Sequence, residues 1–513
     1  MSALGLWKIA NEEPNRPAVI TSEGETVSAG ALHAASNRLV HGLRALGVKR
    51  GDSIALVLKN ELAVLELFLA ATQAGMYVTP INANLTAPEI AYILQDCEAK
   101  ALVCAESTSA ACAKAADAIG FPAAARFSTG DAAGFRPYRE LGDGHPSTPP
   151  ADRVAGAAMT YTSGTTGKPK GVRRPIADVA PETVAEMQAM FLGLFGILPG
   201  AGVHLVVSPL YHTAVLSFCA NHLHLGHTIV LMDKWAPEAM LEKIERHRVT
   251  SSHMVPTQFR RLLALSAEER TKRDLSSLRH VIHSAAPCPV DVKRAMLAWW
   301  GPVIYEYYAA SEGGGTLATP ADWLLHPGTV GNAWPISKIR VAKEDGTDCA
   351  PREVGTVYMS MGAHKFAYHK DEKKTASSWQ GEYFTVGDAG YLDEDGFLYL
   401  CDRKSDMIIS GGVNIYPAEI EAVLVAHPDV ADAAVFGVPD DDWGEQVKAV
   451  IEPRVAATPG LAREILAFAS ERLAKFKIPK SIDFTDEMPR DPNGKLYKRK
   501  LRDPYWVGRE RAI

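Results

Sequence analysis

The sequence predicts an α/β protein in three parts: a large region of helix-covered β-sheets, a β-rich subdomain, and a small α+β unit at the C-terminal end. Three observations predict it. Strand–helix–strand alternation recurs between Ser53 and Arg248, short alternating runs replace it between Ala342 and Cys401, and a compact mixture of helices and strands follows Asp402.

Ser53–Leu58 (SIALVL) reads as a buried strand, Glu61–Ala74 as a helix closed by Gly75, and Met76–Ile81 as the next strand. The same alternation places Ala101–Cys104 before an alanine-rich helix, His204–Ser208 before the helix Ala214–Leu225, and Thr228–Met232 before the helix Glu238–Arg248. Pro146–Asp152 is a loop between units, and Ala155–Thr160 a further strand. In the second part, Gly355–Met361 and Phe397–Cys401 are separated by turn clusters, which suits antiparallel pairing. The third part holds a helix at Pro417–Ala426, strands at Asp432–Val438 and Val447–Glu452, a helix near Leu461–Leu473 and a turn-rich tail, Met488–Tyr497. The best division lies at residues 402–406, giving units 1–403 and 404–513.

Composition excludes more than it selects. A chain of 513 residues, 47% hydrophobic, buries large cores and more than one domain. A formal net charge of −6 supplies no general attraction for nucleic acid. The seven cysteines are scattered and form no C-x-x-C pair, a pattern of reduced thiols in a cytoplasmic protein. The longest apolar stretch, Leu62–Thr79, is interrupted by Glu66, Gln73 and Gly75 and makes a poor membrane span. Peripheral contact with a membrane surface stays open. His222, His224 and His227 lie in an apolar segment with no carboxylate or cysteine close by, so packing is favoured over a metal site. No G-x-S-x-G elbow points to an acyl hydrolase.

The chemistry concentrates in Tyr161–Gly171 (YTSGTTGKPKG), which packs three glycines, four Ser/Thr residues and two lysines into eleven positions. Glycines let backbone N–H groups converge on phosphate oxygens, hydroxyls add donors, and lysine adds charge. The register does not fit G-x-x-x-x-G-K-[ST], and Pro169 disfavours helical geometry at Lys168. The string therefore reads as a loop that closes over a triphosphate. Taken alone, it could equally be a polar surface turn.

The string S-G-T-T-G-K-P-K-G is similar to the signature of the adenylate-forming superfamily of acyl-CoA synthetases, luciferases and peptide-synthetase adenylation domains. Further motifs follow in that family's order along nearly the whole chain, which looks most like the bacterial fatty-acyl-CoA synthetase branch. The resemblance implies a large N-terminal AMP- and acyl-binding domain and a small mobile C-terminal catalytic domain. It implies that Thr162, Ser163, Gly164, Thr165, Thr166, Gly167 and Lys170 hold ATP phosphates, with Thr166 also catalytic and on Mg²⁺. In Tyr305–Gly315 (YEYYAASEGGG), Glu306, Tyr307, Tyr308, Ala309 and Ser311 would line the nucleotide site, Tyr308 stacking on adenine, and Glu312 would bind Mg²⁺. Ala309 stands where the family usually has Gly. Ser284, Ala285, Ala286 and Pro287 would border adenine and the acyl carbonyl; Asp388 and Arg403 would hold the ribose.

Lys495, in PRDPNGKLYK, matches the family's catalytic lysine, a cation aimed at the charge that builds on phosphate oxygens as the carboxylate attacks. Coenzyme A would then enter beside Gly411, Gly412 and Trp443 after rotation about a hinge at Ser405, where the family more often has Asp or Lys. His212, Val215, Met254, Val255, Thr257, Ser284 and Ala310 would line the acyl site. That lining has no Arg or Lys to meet a second acid group. The expected activity is thus ATP-dependent acyl-CoA synthesis on an apolar acid, medium- or long-chain fatty or bulky alicyclic, through an acyl-adenylate. Two other readings remain: a ligase loading a carrier protein, and a nucleotide-binding regulator without turnover. The expected partner is a small carboxylic acid, the expected state a monomer or homodimer.

Overall fold

The centre of the molecule is a nine-stranded sheet in the order Asn332–Ala333, Gly313–Ala318, Ile304–Ala310, His280–His283, Ser251–Met254, Val203–Val206, Thr228–Leu231, Pro17–Ile20 and Thr26–Ser28. Neighbours from Ile304–Ala310 to Pro17–Ile20 run parallel, and both edges are antiparallel. The computed structural model describes residues 4–162, 169–310, 312–362, 366–403, 406–411, 413–491 and 494–508.

A second, six-stranded parallel sheet holds Ser53–Val57 between Ala99–Cys104 and Tyr77–Pro80. Every residue of Ser53–Val57 is buried, as a strand covered on both faces requires. The helix Leu62–Gln73 follows it, within a residue of the expected span at each end. The expected strand at Ala155–Thr160 divides in two. Ala157–Ala158 pairs with Tyr77–Pro80, whereas Thr160–Thr162 pairs with Lys170–Arg173 in a separate three-stranded sheet. The chain changes sheets at Met159, whose N–H still bonds Val78 O at 2.9 Å.

The expected β-rich part is a six-stranded antiparallel sheet containing Lys338–Ala342, Gly355–Ser360, Asp388–Leu392 and Leu398–Arg403. From Ile408 onward the strands belong to a five-stranded sheet built on the long hairpin Val430–Asp440 and Gly444–Pro453, with its own apolar core around Ile408, Leu424, Val435 and Ile465. Among the described residues no helix is long and apolar enough to cross a membrane, and none of the seven cysteines is in a disulfide.

Two buried polar arrangements tie the central sheet together. Lys293, on the helix Val290–Trp300, is fully buried and bonds Glu306 at 2.7 Å. The second is a chain of imidazoles whose tautomers follow from one carbonyl. Leu198 O can only accept, so His227 Nε2 (2.9 Å away) carries the proton, and Nδ1 of this neutral ring accepts from His222 Nδ1–H at 2.8 Å. His222 Nε2 then accepts from Ser251 Oγ at 3.3 Å, and Ser251 accepts from His204 Nδ1–H at 3.0 Å. His224 stands apart, accepting from Leu6 N at 3.2 Å and tilted against Trp7. These histidines are packing and hydrogen-bonding groups, and burial holds the His204 and His222 rings well below their usual pKa.

Because those rings stay neutral when folded but protonate near pH ~6.5 when unfolded, the unfolded chain binds more protons below that pH. Stability should therefore fall as the pH is lowered through this window, by up to about 1.4 kcal/mol per pH unit per ring, and His204→Asn should flatten the dependence in thermal melts. A melting midpoint indifferent to pH between about 7 and 5 contradicts the tautomer chain. Lys293→Met, which strands Glu306 as a buried charge, should cost about 3–5 kcal/mol in urea unfolding, with Glu306→Leu added restoring most of it.

Candidate active site

The site forms where the strand Ile304–Ala310 leaves the central sheet. Ala309 pairs with Gly315 and Ala310 with Gly313, so Gly314 is an extra, bulged residue with φ +69°. The bulge sets Glu312 at the hairpin tip, where Tyr368 donates its hydroxyl to Glu312 Oε1 at 2.7 Å. Burial and the Glu312 charge push the Tyr368 phenol up, so it remains a donor. Arg174 lies within electrostatic reach of the same carboxylate. On the adjoining β-rich sheet, Asp388 accepts from Tyr308 Oη at 2.6 Å and sits in register opposite Arg403. Ala285 turns the chain after the strand His280–His283 with φ +73°, leaving Ala285 and Pro287 exposed at the cleft edge.

The C-terminal unit closes the cleft from the other side. Gly494, at φ +78°, passes so near Thr257 that a β-carbon would lie 2.5 Å from Thr257 Oγ1; only glycine fits. Asp491 braces the next residue, accepting the Lys495 N–H at 2.9 Å. Arg490 donates to Asp432 at 2.8 Å and to Gly494 O at 2.6 Å, and Arg260, from the N-terminal unit, reaches the same Asp432 at 3.3 Å. Burial would raise the Asp432 carboxyl, but the two guanidiniums outweigh it and hold the group below its usual range. Thus Lys495 is brought up to His212. Burial first, and the Lys495 charge second, depress the His212 pKa to about 3, so its ring is neutral. His212 Nε2 and Tyr211 Oη are buried without a partner among the described residues, the mark of polar atoms awaiting a ligand.

Comparison with known proteins decides the family. Residues 6–364 match the family model described as AMP-binding enzyme, and residues 419–495 match the AMP-binding enzyme C-terminal domain. The chain belongs to the AMP-binding enzyme family. It is 32% identical, over 98% of its length and 96% of the relative's, to the fatty acid–[acyl-carrier-protein] ligase ScoC of Streptomyces coeruleorubidus. It is 33% identical to the 2-succinylbenzoate–CoA ligase of Bacillus licheniformis, over 95% of this chain and 97% of that protein. Among solved structures, the o-succinylbenzoate CoA synthetase of Bacillus subtilis in complex with its acyl-adenylate OSB-AMP aligns with a TM-score of 0.83 and 30% identity, covering 98% of both chains.

The chain is accordingly an AMP-forming acid–thiol ligase that uses ATP and Mg²⁺. The residues fit those groups. Glu312 is a hard-oxygen donor fixed by a phenol, as Mg²⁺ on a phosphate demands. Asp388 beside Tyr308 offers a hydroxyl-binding carboxylate next to an aromatic face. When bound, Mg²⁺ supplies charge neutralisation at the phosphates.

Several expected site residues sit elsewhere. Ser163, Gly164, Thr165, Thr166, Gly167, Ser311, Gly412 and the hinge at Ser405 lie outside the described residues, as do the side chains of Thr162 and Arg403. Glu306 and Tyr307 do not present side chains to the nucleotide: the first is ion-paired with Lys293, the second packs on Phe195 and Phe218. Lys170 is tied to Asp371 at 2.7 Å, where a phosphate contact was expected. Val215 faces the core around Leu210 and Cys219, and Met254 the core around Phe259, because helix and strand periodicity turn both away from the cleft. Thr257 abuts the lysine loop, Ala310 packs with Val172 and Met359, and Val255 is buried, its N–H held by Gln258. Ser284 is buried, 3.3 Å from His253. Gly411 and Trp443 pack directly together: a β-carbon on Gly411 would lie 2.3 Å from the indole.

No sequence signal marks Tyr368, Asp371, Arg260 or Asp432, since each acts through a partner far along the chain. Removing the Arg260 contact should loosen the lysine loop's docking without unpairing Asp432 from Arg490. Arg260→Ala is expected to slow adenylation, read as pyrophosphate release, by about 10- to 150-fold, the worth of one charge-assisted hydrogen bond. Thioester formation from supplied acyl-adenylate should change far less.

Proposed function

We propose that this protein is an acyl-CoA synthetase acting on an apolar carboxylic acid in the cytoplasm, with units 1–403 and 404–513 sharing one cleft. In the first half-reaction the carboxylate oxygen attacks the α-phosphorus of ATP, the bond to the β-phosphate oxygen breaks, and pyrophosphate leaves. Lys495 supplies a cation to the oxygens on which charge builds, where a preorganised donor is worth most. Neutral His212 flanks the carboxylate without competing for charge, and Tyr308, Asp388 and Arg403 hold the nucleoside. In the second half-reaction the thiolate of coenzyme A attacks the acyl carbonyl and AMP departs.

The observation that carries this reading is the docking of the lysine loop: Gly494 against Thr257 and Lys495 beside His212. That arrangement serves adenylation. Thioester formation needs the C-terminal unit to turn about Ser405 and bring Gly411, Gly412 and Trp443 to the acyl-adenylate, a rotation of the kind hinged enzymes use. Cysteines with no disulfide among them suit a reducing compartment. Because the relative ScoC is named for a carrier-protein acceptor, the acceptor must be tested directly.

Lys495→Ala should lower pyrophosphate release by about 10²–10³-fold, as loss of a transition-state charge contact does, and leave thioester formation from supplied acyl-adenylate nearly intact. Equal loss of both half-reactions contradicts the two-orientation scheme. Coenzyme A should be consumed stoichiometrically with AMP release; transfer to a carrier protein alone would shift the assignment to that acceptor.

A further inference from the structure

The nucleotide strand has a second face. Alternation puts Tyr305, Tyr307 and Ala309 opposite Glu306 and Tyr308, and against this face stand aromatic rings from three other elements. Phe191 and Phe195 come from the helix Pro181–Phe191 and the turn after it, and Phe218 from the helix Thr213–His224. Trp334 follows the edge strand Asn332–Ala333. Phe191 meets Trp334 edge-on at 5.2 Å and Phe218 at 5.8 Å; Phe195 meets Tyr307 at 6.0 Å. His253, fully buried, tilts against Phe218 at 4.8 Å. With Ala309 packed on it, this cluster lies on the reverse side of the strand that carries Tyr308.

Two features bear on what this cluster could receive. The first is Gly315, paired with Ala309 in the adjacent strand. A β-carbon there would lie 2.5 Å from Tyr308 O and 2.7 Å from Trp334 Cζ2, so glycine lets the neighbouring strand and the indole both close in. The second is a set of stranded polar atoms. Trp334 is only 7% exposed, yet its Nε1–H has no acceptor among the described residues; His253 Nδ1 is likewise buried and unpartnered. Burying an N–H in an aromatic surround without a partner is costly, and sites retain such groups where a ligand completes them. Indole is a donor only, so the completing group must be an acceptor.

We propose that the acid activated here carries a flat ring with a neutral oxygen acceptor, such as a keto, ether or hydroxyl oxygen, and that Trp334 is the residue that selects it. This rests on the acyl-CoA synthetase reading above. The ring packs against this cluster beside Trp334, where offset and edge-on contacts favour an aromatic or rigid cyclic body over a flexible chain. The oxygen accepts from Trp334 Nε1–H. A straight acyl chain would instead leave that donor permanently unpaired.

The test uses the full-length enzyme with ATP, Mg²⁺ and coenzyme A and matched acids: cinnamic against 4-methoxycinnamic, cyclohexanecarboxylic against 4-oxocyclohexanecarboxylic, and octanoic acid. Wild-type kcat/KM should favour the oxygenated member of a pair by about tenfold or more, the discrimination expected of a site built to donate to that oxygen. Trp334→Phe should bring the ratio close to one and leave the oxygen-free acid within about threefold of wild type. A ratio unchanged in Trp334→Phe, no preference in the wild type, or octanoate outpacing every ring acid overturns the proposal. Octanoate turnover would leave the synthetase reading standing, whereas absence of pyrophosphate release with every acid would sink that reading itself. Should Trp334→Phe fail to fold, the wild-type ratios alone decide.

Discussion

Asp432 holds the active site together. It belongs to the C-terminal sheet, is buried, and accepts from a guanidinium on each side of the cleft: Arg260 on the helix Pro256–Leu263 and Arg490 at the base of the lysine loop. A buried carboxylate with one such partner is poorly compensated, and with two it is well satisfied. Docking of the C-terminal unit in this orientation is thus coupled to satisfying a buried charge. The same Arg490 also binds Gly494 O, so the contact that seats the unit shapes the loop that presents Lys495. Position and chemistry are fixed by one carboxylate. If the unit rotates for the second half-reaction, Arg260 is the partner that must let go, since Arg490 travels with Asp432.

Much of this was legible from the chain alone, for a physical reason. Continuous apolar runs such as Ser53–Val57 mark strands covered on both faces, and the structure places that strand inside a parallel sheet. The hairpin bearing Glu312 and the loop bearing Lys495 are legible through the family resemblance, and the structure supplies a local reason for their glycines: the bulge at Gly314 and the left-handed Gly494. What was not legible depends on the third dimension. Val215 and Met254 are apolar residues beside a cleft in sequence, and nothing local says that their side chains point to the core. Lys170 reads as a phosphate ligand until Asp371, 201 residues away, is found bonded to it. Tyr368 gives no signal at all until it is seen donating to Glu312.

The buried histidines illustrate how the same residue type serves opposite ends. His222 and His227 satisfy each other along a chain ending at Leu198 O, and their neutrality is structural. His212 and His253 are also held neutral by burial, both near pKa 3, but each keeps a ring nitrogen without a partner among the described residues. Neutrality alone therefore does not separate scaffold from site, and neither does a stranded nitrogen, since His204 Nε2 in the scaffold chain is also buried without a partner among the described residues. What marks the other two rings is their neighbours: Lys495 beside His212, and Ser284 beside His253.

The strand Ile304–Ala310 shows why adenylation chemistry and acid selection can vary independently in such a protein. Its pleat sends Tyr308 towards Asp388 and Tyr307 towards the aromatic cluster, so neighbouring residues serve different substrates. Glu306, further back on the Tyr308 face, is locked to Lys293 and keeps the strand from shifting register, which would exchange the two faces. A change at Trp334 alters what lies behind Ala309 without touching Tyr308, Asp388 or Glu312. The buried ion pair is thus what permits divergence: by fixing which face each residue occupies, it lets the acyl wall be rebuilt while the nucleotide wall stays as it is.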